Sequence, residues 1–548
     1  MTPPCVIFED EHLLVVNKPA GWNTHAPAPY AGEGIYDWLR HREPRWADLA
    51  IIHRLDKETS GVLVFGKTPL ANKSLTQQFE QRQVSKRYQL LSDRPPPKGE
   101  LLVRSHITRD GECYVSLPAG PAGEPAETRF QCQGPAAQNG CWPVLAEPLT
   151  GRTHQIRVHA AASGFPILGD TLYGGTPAAR VCLHASEIRL NHPVTGDSVV
   201  FAVPHNFITD PRQGLREALA GRGPSLIDGP EANPAGQQNP DTTAFRLLHG
   251  AADGWPGWQV EQLGEFLLSQ SEYALSPAQL AKLTGLWEQR RLRGAYHKRL
   301  NRRVRQVTTD QASPQHSLGE AAPERFTVRE NGLTYELSFS EGYSYGLFLD
   351  QRDNRRRLLT GHIAAGFPLR TPGSACRVLN TFAYTCAFSV AAAQAGAHTT
   401  SLDLSKKYLE WGRRNFSLNG LDAAAHDFIY GDVFDWLRRL GKKGRQFDVV
   451  LLDPPTFSQS KESGIFRAEK DYGKLVALAL PLLARGGVLF ASTNCASLMP
   501  EDFLATVTEA LHRAGRRVVQ QHYVPQPPDF PVTRDEPAYL KTVWLRVS

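Results

Sequence analysis

Four short stretches decide the fold of the C-terminal half: RVLNTFAYT (377–385), TTSLDL (399–404), FDVVLLDPP (447–455) and GVLFAS (487–492). Each is rich in apolar or β-branched residues, and helix-length amphipathic segments separate them. Buried β-runs joined by amphipathic helices are the pattern of a doubly wound, mostly parallel sheet. We therefore predict an α/β Rossmann-like domain over residues 343–548.

The segment before this sheet predicts a small α+β domain over residues 241–342, with an accessory or RNA-binding role. It ends in RFTVRENGLTYELSF (325–339), two alternating runs separated by Asn331-Gly332. An Asn-Gly pair between such runs favours a tight β-hairpin, because both residues tolerate positive φ.

The N-terminal half has a different pattern of apolar runs and turns. Short β-type runs such as LLVVNK (13–18), GVLVFGK (61–67) and KRYQLL (86–91) are punctuated by turns, with few helix-length periodic stretches between them. This pattern predicts an α+β domain with a mixed or antiparallel sheet over residues 1–210. Residues 211–240, rich in Gly, Pro, Asn and Gln, then predict a linker.

Composition narrows the class of protein. The chain has 548 residues, a formal net charge of +6 and 41% hydrophobic residues, which suits several packed domains and excludes wholesale disorder. Its 8 cysteines are scattered without a C-x-x-C pair, so we expect no metal site. The N-terminus lacks a basic and apolar leader, and no apolar run is long enough to span a bilayer. We expect a soluble cytoplasmic protein with no membrane partner.

One carboxylate in the N-terminal half, that of Asp56, is a candidate functional group because of the residues around it. HRLDKETSG (53–61) places Asp56 among turn-forming residues, and by itself such an Asp is most often a turn or capping residue. Further segments change that interpretation: Lys18-Pro19, Lys86-Arg87-Tyr88, GRTHQIRVH (151–159) and GFPILGDTLYGG (164–175). In this order and spacing, over about 200 residues, they resemble the RluA family of pseudouridine synthases.

The resemblance implies a role for each matching residue. Asp56 matches the catalytic carboxylate, Arg157 the basic residue that pairs with it, and Tyr88 the aromatic that stacks on the target base. The uridine must leave the RNA stack to react, and Arg54 could fill the vacated space. Arg152 and His154 are expected to contact the RNA.

Acidic residues follow three predicted strands of the C-terminal sheet: Asp403, Asp432 and Asp453. A carboxylate at the end of a second strand can bind both ribose hydroxyls of a nucleoside cofactor. No G-x-G-x-x-G follows the first strand, which speaks against a nicotinamide cofactor. A generic Rossmann sheet with ordinary strand-end acids is the alternative.

Together with FRLLHG (245–250) and GLFLDQRDNR (346–355), this set resembles class I methyltransferases of the RlmI and RlmK type, which modify large-subunit ribosomal RNA. The resemblance implies S-adenosylmethionine as the cofactor. It places Asp403 at the ribose, Asp432 near the adenine, and Asp453 near the methyl group and the target base. Further cofactor contacts are expected from Asn380, Phe382, Tyr384, Gln351 and Arg352. Asn380 and Cys386-Ala387 depart from the family, which often has Asp and glycines at these places.

Cys495, just beyond the fifth predicted strand, bears on which base is methylated. Carbon 5 of cytosine is a poor nucleophile until a thiolate adds to carbon 6, so a 5-methylcytidine-forming enzyme needs a cysteine there. Residues 403–411 and 453–461 instead look more like the branch that forms 7-methylguanosine, which needs no cysteine. We favour cytidine slightly and keep guanosine as the alternative.

RRLRGAYHKRLNRRVR (290–305) has eight Lys or Arg in sixteen residues and no acidic residue. We interpret it as a phosphate-binding segment, with Lys298, Arg299, Arg302 and Arg303 as RNA contacts, although a solvated face is the plainer alternative.

The sequence thus predicts a bifunctional RNA-modifying enzyme. Ribosomal RNA is the favoured partner, and transfer RNA is possible for the synthase half. Two alternatives remain: one half is active while the other clamps RNA, or the protein is a noncatalytic ribosome-assembly factor. The target nucleotides and the oligomeric state are not determined by the sequence.

Overall fold

The structure, a computed structural model, describes residues 5–28, 30, 34–118, 123–134, 140–205, 207, 241–300, 312–342, 344–371, 373–460, 462, 464–533 and 536–548. The chain divides into two compact units. The described residues within 1–27, 33–40 and 48–237 form the first, and those within 28–32, 41–47 and 238–548 form the second. The predicted linker at 211–240 lies outside the described residues. No helix in the described part is long and apolar enough to cross a membrane.

The described N-terminal part contains one large sheet and a few short helices. In chain order the elements are β1 (Val6–Glu9), β2 (Leu13–Lys18), α1 (Ile35–Arg42), β3 (Ala50–Ile51), β4 (Ser60–Gly66), α2 (Pro69–Glu80), β5 (Ser85–Ser92), β6 (Glu100–Asp110), β7 (Cys113–Leu117), β8 (Glu124–Cys132), β9 (Trp142–Pro148), α3 (Gln155–Ala162), β10 (Leu183–Asn191) and β11 (Ser198–Ala202).

These strands form an 11-stranded sheet in the order β1-β2-β4-β10-β5-β9-β8-β6-β7, with β11 on β10 and β3 on β4. The neighbours run antiparallel except β4 and β10, which run parallel. The predicted α+β fold with a mixed sheet is confirmed.

Strands β2 and β4 are buried along their whole length. This explains why both read as unbroken apolar runs rather than as alternating ones, since a strand covered on both faces needs apolar residues at every position. Leu75 of α2 packs on them in one cluster with Val15 and Val62. Helix α2 starts at Pro69, and the Thr68 side chain caps it by accepting a hydrogen bond from the backbone N–H of Ala71.

The second unit begins with β12 (Ala244–His249), β13 (Trp258–Leu263), β14 (Phe266–Ser271), α4 (Pro277–Gln289), β15 (Gly294–Arg299), β16 (Gln315–Gly319), β17 (Phe326–Glu330), β18 (Leu333–Leu337), α5 (Arg352–Thr360), β19 (His362–Ala364) and β20 (Phe367–Pro368). Strands β12 to β16 form a five-stranded sheet in chain order.

The remainder of this unit is β21 (Arg377–Thr381), α6 (Ala387–Gln394), β22 (His398–Asp403), α7 (Lys406–Leu418), β23 (Asp427–Tyr430), α8 (Val433–Lys442), β24 (Phe447–Leu452), β25 (Phe457–Ser460), β26 (Gly464–Arg467), α9 (Ala468–Ala479), β27 (Leu483–Thr493), α10 (Pro500–Arg513), β28 (Val518–Val524) and β29 (Lys541–Val547).

Seven of these strands form the predicted doubly wound sheet, in the order β23-β22-β21-β24-β27-β29-β28. All pairs are parallel except the two made by β29. The four stretches that decided the fold are β21, β22, β24 and β27. Because strand order reverses between β21 and β24, the loops at their carboxyl ends diverge and leave a crevice there.

The hairpin β17–β18 turns as predicted at Asn331 (φ 52°) and Gly332 (φ 81°). It shares one hydrophobic core with the seven-stranded sheet, in which Val328 and Tyr335 join Val378 and Phe490. Residues 241–342 and 343–548 therefore fall within one compact unit, and the domain boundary proposed between them stays a prediction.

The basic segment 290–305 was predicted to be a phosphate-binding segment. Its described residues are instead partly buried and partly paired with acids. Strand β15 lies inside the five-stranded sheet, between β14 and β16, and Lys298 is 3% exposed. Arg293 pairs with Glu320 and Glu265, acids from outside the segment that its own sequence does not reveal. Lys298 is therefore unsuited to phosphate binding. Arg299 is exposed, whereas Arg302 and Arg303 lie outside the described residues.

A buried ion pair joins the hairpin to helix α5. Arg355 donates from Nε and Nη2 to the two carboxylate oxygens of Glu330, at 2.6 and 2.7 Å, and both side chains are buried. Removing one partner would leave an uncompensated charge in the core.

We predict that Glu330→Gln lowers the free energy of unfolding by about 3–5 kcal/mol, since the Arg355 charge stays buried without its counter-ion. Urea denaturation of the full chain measures this. The control is Glu410→Gln, which removes an exposed pair with Arg413 and should cost at most about 0.5 kcal/mol. Equal effects of the two substitutions would contradict the prediction.

Candidate active sites

A cavity of about 620 Å³ opens in the N-terminal unit beside Asp56. It is lined by the loop between β3 and β4, by strand β5 and by the segment leading into α3. Six residues singled out from the sequence line it together: Arg54, Asp56, Tyr88, Arg152, His154 and Arg157. Residues as far apart in the chain as Arg54 and Arg157 thus line one cavity.

Arg157 is held by a carboxylate that the sequence interpretation did not assign. Its Nε and Nη2 donate to Asp170 at 2.7 Å each, and both side chains are buried. The bidentate partner is therefore Asp170 and not Asp56 as predicted. Asp170 belongs to the quoted stretch GFPILGDTLYGG, which was the available signal for it.

The carboxylate of Asp56 accepts no hydrogen bond from any residue that the structure describes. It acts on its neighbours through charge instead. Burial, and then the negative charge of Asp56, raises the pKa of Tyr88, so the phenol remains neutral. A carboxylate without protein donors stays available to a reacting atom in the cavity.

Lys18 stabilises the loop that carries Asp56 through hydrogen bonds to backbone carbonyl groups. Its fully buried ammonium donates to the carbonyl oxygens of Pro19, Trp22 and Lys57, at 2.9, 2.6 and 3.2 Å. Burial lowers its pKa to about 7, and the charge of Asp56 opposes that shift. Lysine at the end of a fully buried strand was the sequence signal for this positioning role.

His154 sits in the left-handed region at φ 55°, and its Nδ1 lies 2.7 Å from the hydroxyl of Tyr173. The guanidinium of Arg157 lies over the ring of the same tyrosine, 5.0 Å from its centroid. Tyr173 thus links two cavity residues, a part that the sequence interpretation missed.

The second site lies at the carboxyl ends of β21, β22 and β24. In the loop after β21, three alternate residues adopt positive φ: Phe382 (55°), Tyr384 (49°) and Cys386 (62°). Non-glycine residues pay about 1–2 kcal/mol each for this conformation, which is typical of functional loops. The turn that glycines would favour is therefore formed without them.

Asp403 fixes this loop. Its two carboxylate oxygens accept the backbone N–H groups of Tyr384 and Ser405, each at 2.8 Å. Burial raises its pKa, against the lowering effect of these hydrogen bonds. Asp432 caps helix α8 by accepting the N–H of Asp435 at 3.0 Å. The side chain of Asn380 is buried and donates to Ser389 at 2.9 Å, so it faces the protein interior.

Gln351 and Asp453 form the centre of the site. Gln351 Nε2 donates to Asp453 Oδ2 at 3.1 Å and to Ser492 Oγ at 2.8 Å. Burial raises the pKa of Asp453 to about 6, and the hydrogen bonds to its carboxylate oppose this. Arg352, predicted to contact the cofactor, instead donates both of its Nη groups to the buried carboxylate of Asp529. That pair gives Arg352 a structural role.

Cys495 lies beyond the end of β27, which pairs with β24, the strand that Asp453 follows. Its Sγ is 3.5 Å from Glu469 Oε1 and 3.3 Å from Ser497 Oγ, and the side chain is 3% exposed. Thr456 Oγ1 donates to Asn494 Oδ1 at 3.0 Å, which joins the loop after Asp453 to the Cys495 loop. The thiol is placed at the same edge of the sheet as the carboxylates.

The strand order, the antiparallel β29 and the acids at the strand ends define a class I methyltransferase, with a separate RNA-modifying fold before it. Residues 245–546 match the family model described as S-adenosylmethionine-dependent methyltransferase, and residues 12–162 match that of RNA pseudouridylate synthase. The first match covers more than half of the chain, so the chain belongs to the S-adenosylmethionine-dependent methyltransferase family.

Individual relatives and solved structures are similar to parts of the chain. A ribosomal RNA large subunit methyltransferase of Deinococcus radiodurans is 34% identical over 313 residues, covering 56% of this chain and 73% of the relative. A methyltransferase solved in complex with SAH is 31% identical and covers 56% of this chain and 76% of that one, with a TM-score of 0.48. The human RNA pseudouridylate synthase domain containing 1 is 26% identical, covering 36% of this chain and 82% of that one, with a TM-score of 0.32.

The protein is thus an enzyme with an RNA pseudouridine synthase part and an S-adenosylmethionine-dependent methyltransferase part, and its substrate is RNA. The residues present fit this cofactor: Asp403 offers a carboxylate for the ribose, and the partly buried Phe382 offers an apolar face for the adenine. When bound, S-adenosylmethionine supplies an electrophilic methyl group.

We predict that methyl transfer slows as pH falls through about 6, the pKa of Asp453. The carboxylate is present above that pKa and is protonated below it, so the rate should fall about tenfold per unit below pH 6. Single-turnover methylation between pH 5 and 7.5 tests this. Asp453→Asn should be slow throughout and should lack the step. A wild-type rate that is flat or rises toward pH 5 would show that the ionised carboxylate is not needed.

Proposed function

We propose that the protein modifies large-subunit ribosomal RNA twice, isomerising a uridine to pseudouridine in its N-terminal part and methylating a base in its C-terminal part. The convergence of Asp56, Tyr88 and Arg157 on one cavity carries the first half of the proposal. The names of relatives such as the Deinococcus radiodurans enzyme support ribosomal RNA as the target.

In the synthase part, the Asp56 carboxylate acts as the nucleophile, toward either the ribose or the uracil ring. The glycosidic bond breaks, the uracil turns, and a carbon–carbon bond to the ribose replaces the carbon–nitrogen bond. The bond to Asp56 is released, carbon 5 loses a proton and nitrogen 1 gains one, so the product is an isomer of the substrate. Tyr88, neutral because its pKa is raised by burial, stacks on the uracil. Arg157, oriented by Asp170, places a positive charge on one wall of the cavity. Arg54, exposed at the cavity mouth, fills the space left in the RNA.

In the methyltransferase part, we propose cytidine as the base and 5-methylcytidine as the product. The position of Cys495 supports this, because a thiol at the strand edge beside Asp453 can add to carbon 6 of a bound cytosine. Glu469 Oε1, 3.5 Å from the sulfur, can accept the thiol proton as that bond forms. Asp453 and Gln351 would orient the base and the methyl donor.

The second candidate is 7-methylguanosine, which one observation favours. The thiol of Cys495 is almost completely buried and donates toward the carboxylate of Glu469, so its sulfur does not face open space in which a base could reach it. Nitrogen 7 of guanine already carries a lone pair, so positioning alone would suffice for its methylation.

We predict that Asp56→Asn abolishes pseudouridine formation while RNA affinity stays within about threefold of wild type. The amide keeps the shape of the side chain but cannot act as a carboxylate nucleophile. Pseudouridine in extracted RNA, quantified by mass spectrometry, gives the readout, and methylation by the same preparation is the internal control. Isomerisation by the variant at a near wild-type rate would refute the assignment of Asp56. Wild-type protein that methylates but does not isomerise would identify the N-terminal part as an RNA clamp.

Cys495 decides between the two methylated bases. If cytidine is the base, RNA containing 5-fluorocytidine should trap the enzyme covalently, because fluorine cannot leave as a proton does in the final elimination. Cys495→Ser should lose both trapping and methylation. The matched control is Cys376→Ser, a buried cysteine of the same unit that lies before β21, outside the loop of the cofactor site, and should not prevent trapping. A Cys495→Ala enzyme that methylates normally and yields 7-methylguanosine would replace the cytidine proposal by the second candidate.

A further inference from the structure

Lys86 lines the synthase cavity from strand β5. It precedes Tyr88 by two residues, and side chains two positions apart point to the same face of a strand. Arg87, between them, points to the opposite face and pairs there with Glu147 and Glu187, at 2.9 and 3.8 Å. Adjacent cations on one strand thus have different surroundings, one paired and one facing the cavity.

The ammonium of Lys86 makes no hydrogen bond or ion pair with any residue that the structure describes. Its neighbours are apolar or neutral. The ring centroid of Phe79 lies 6.0 Å from Nζ. Burial, and then the charge of Lys86, lowers the pKa of His53 to about 3, so that imidazole is uncharged. Burial also lowers the pKa of Lys86 itself. A cation left in such a place costs free energy unless a ligand compensates it.

Two other cations of the cavity are already engaged. Arg157 is held by Asp170, and Arg152 pairs with Glu124 at 2.6 Å and donates to the carbonyl oxygen of Pro125. Among the described residues that line the cavity, Asp56 alone carries a carboxylate. A ligand that brings its own negative charge would therefore find Lys86 available.

Space for such a ligand lies beside Gly151. A Cβ added at this glycine would come within 3.8 Å of Lys86 Nζ, so the missing side chain leaves the ammonium open toward the loop that precedes α3. Lysine is a compact point charge that suits a phosphate oxygen approaching from one side.

We propose that Lys86 binds the backbone phosphate of the uridine that enters the cavity. Every nucleotide brings one phosphodiester charge with its base, and the base itself is taken by Tyr88 and Asp56. Lys86 thereby supplies binding energy and fixes the depth to which the nucleotide enters. This inference rests on the proposed function, since it takes an RNA uridine as the substrate.

The test uses the full chain and large-subunit ribosomal RNA from cells that lack the gene. Four proteins are compared: wild type, Lys86→Gln, Lys86→Arg and Arg87→Gln. The last removes the same charge from the neighbouring position, where it is paired away from the cavity. RNA affinity is measured over a range of salt concentrations, and KM and kcat of pseudouridine formation are measured at one. Lys86→Met, an apolar side chain of similar length, replaces the glutamine variant if that one does not fold.

If Lys86 holds a phosphate, Lys86→Gln should reduce the slope of log affinity against log salt by about 0.7–0.9, the contribution of one phosphate contact. KM should rise about tenfold with kcat within about threefold, because the contact is made equally in the ground and transition states. Lys86→Arg should restore the slope, and Arg87→Gln should leave slope and KM within about twofold of wild type.

An unchanged salt slope in Lys86→Gln would overturn the proposal, whether kcat falls or not. A fall in kcat with unchanged KM would assign Lys86 to the uracil or to Tyr88 instead. Absence of pseudouridine formation by the wild-type protein on this RNA would refute the proposed ribosomal RNA target, which is a separate outcome from the behaviour of the variants.

Discussion

A charge buried in a protein has to be compensated within a few ångströms, and this constraint shapes both parts of the chain. Three buried arginines each donate two hydrogen bonds to one carboxylate: Arg157 to Asp170, Arg352 to Asp529 and Arg355 to Glu330. Each pair fixes the orientation of a helix start that carries site residues. The charged side-chain groups of Asp56 and Lys86, which line the synthase cavity, make no hydrogen bond or ion pair with any residue that the structure describes.

The carboxylates of the two sites differ in how many hydrogen bonds they accept from the protein. The Asp56 carboxylate receives no hydrogen bond from the described residues, so its oxygens remain open to a ligand. Asp403 and Asp453 are instead bound by backbone and side-chain donors at the strand ends. The first arrangement suits a nucleophile, and the second suits groups that orient a cofactor and a base without reacting with them.

The methyltransferase loop after β21 shows how local strain and tertiary contacts depend on each other. Phe382, Tyr384 and Cys386 adopt a conformation that costs each of them free energy, and the Asp403 carboxylate helps to hold it by accepting the N–H of Tyr384. The left-handed positions of this loop are therefore occupied by non-glycine residues. The side chain of Asn380 binds Ser389 and takes no part in facing the cofactor.

The sequence by itself determined the elements and the order of the motifs. Apolar runs, the Asn331-Gly332 turn and the acids after β22 and β24 are local signals, since periodicity and turn chemistry act within a few residues. Only the tertiary structure decided the partners. Arg352 binds Asp529, 177 residues away, and no local pattern distinguishes that pairing from a cofactor contact. The sequence predicted that the basic segment is one exposed surface, yet Lys298 is buried. Burial depends on the strands that cover a residue and not on its neighbours in sequence. For the same reason, two features became visible only when distant segments met around one cavity: Asp170 as the partner of Arg157, and the position of Lys86, whose ammonium has no ion pair among the described residues.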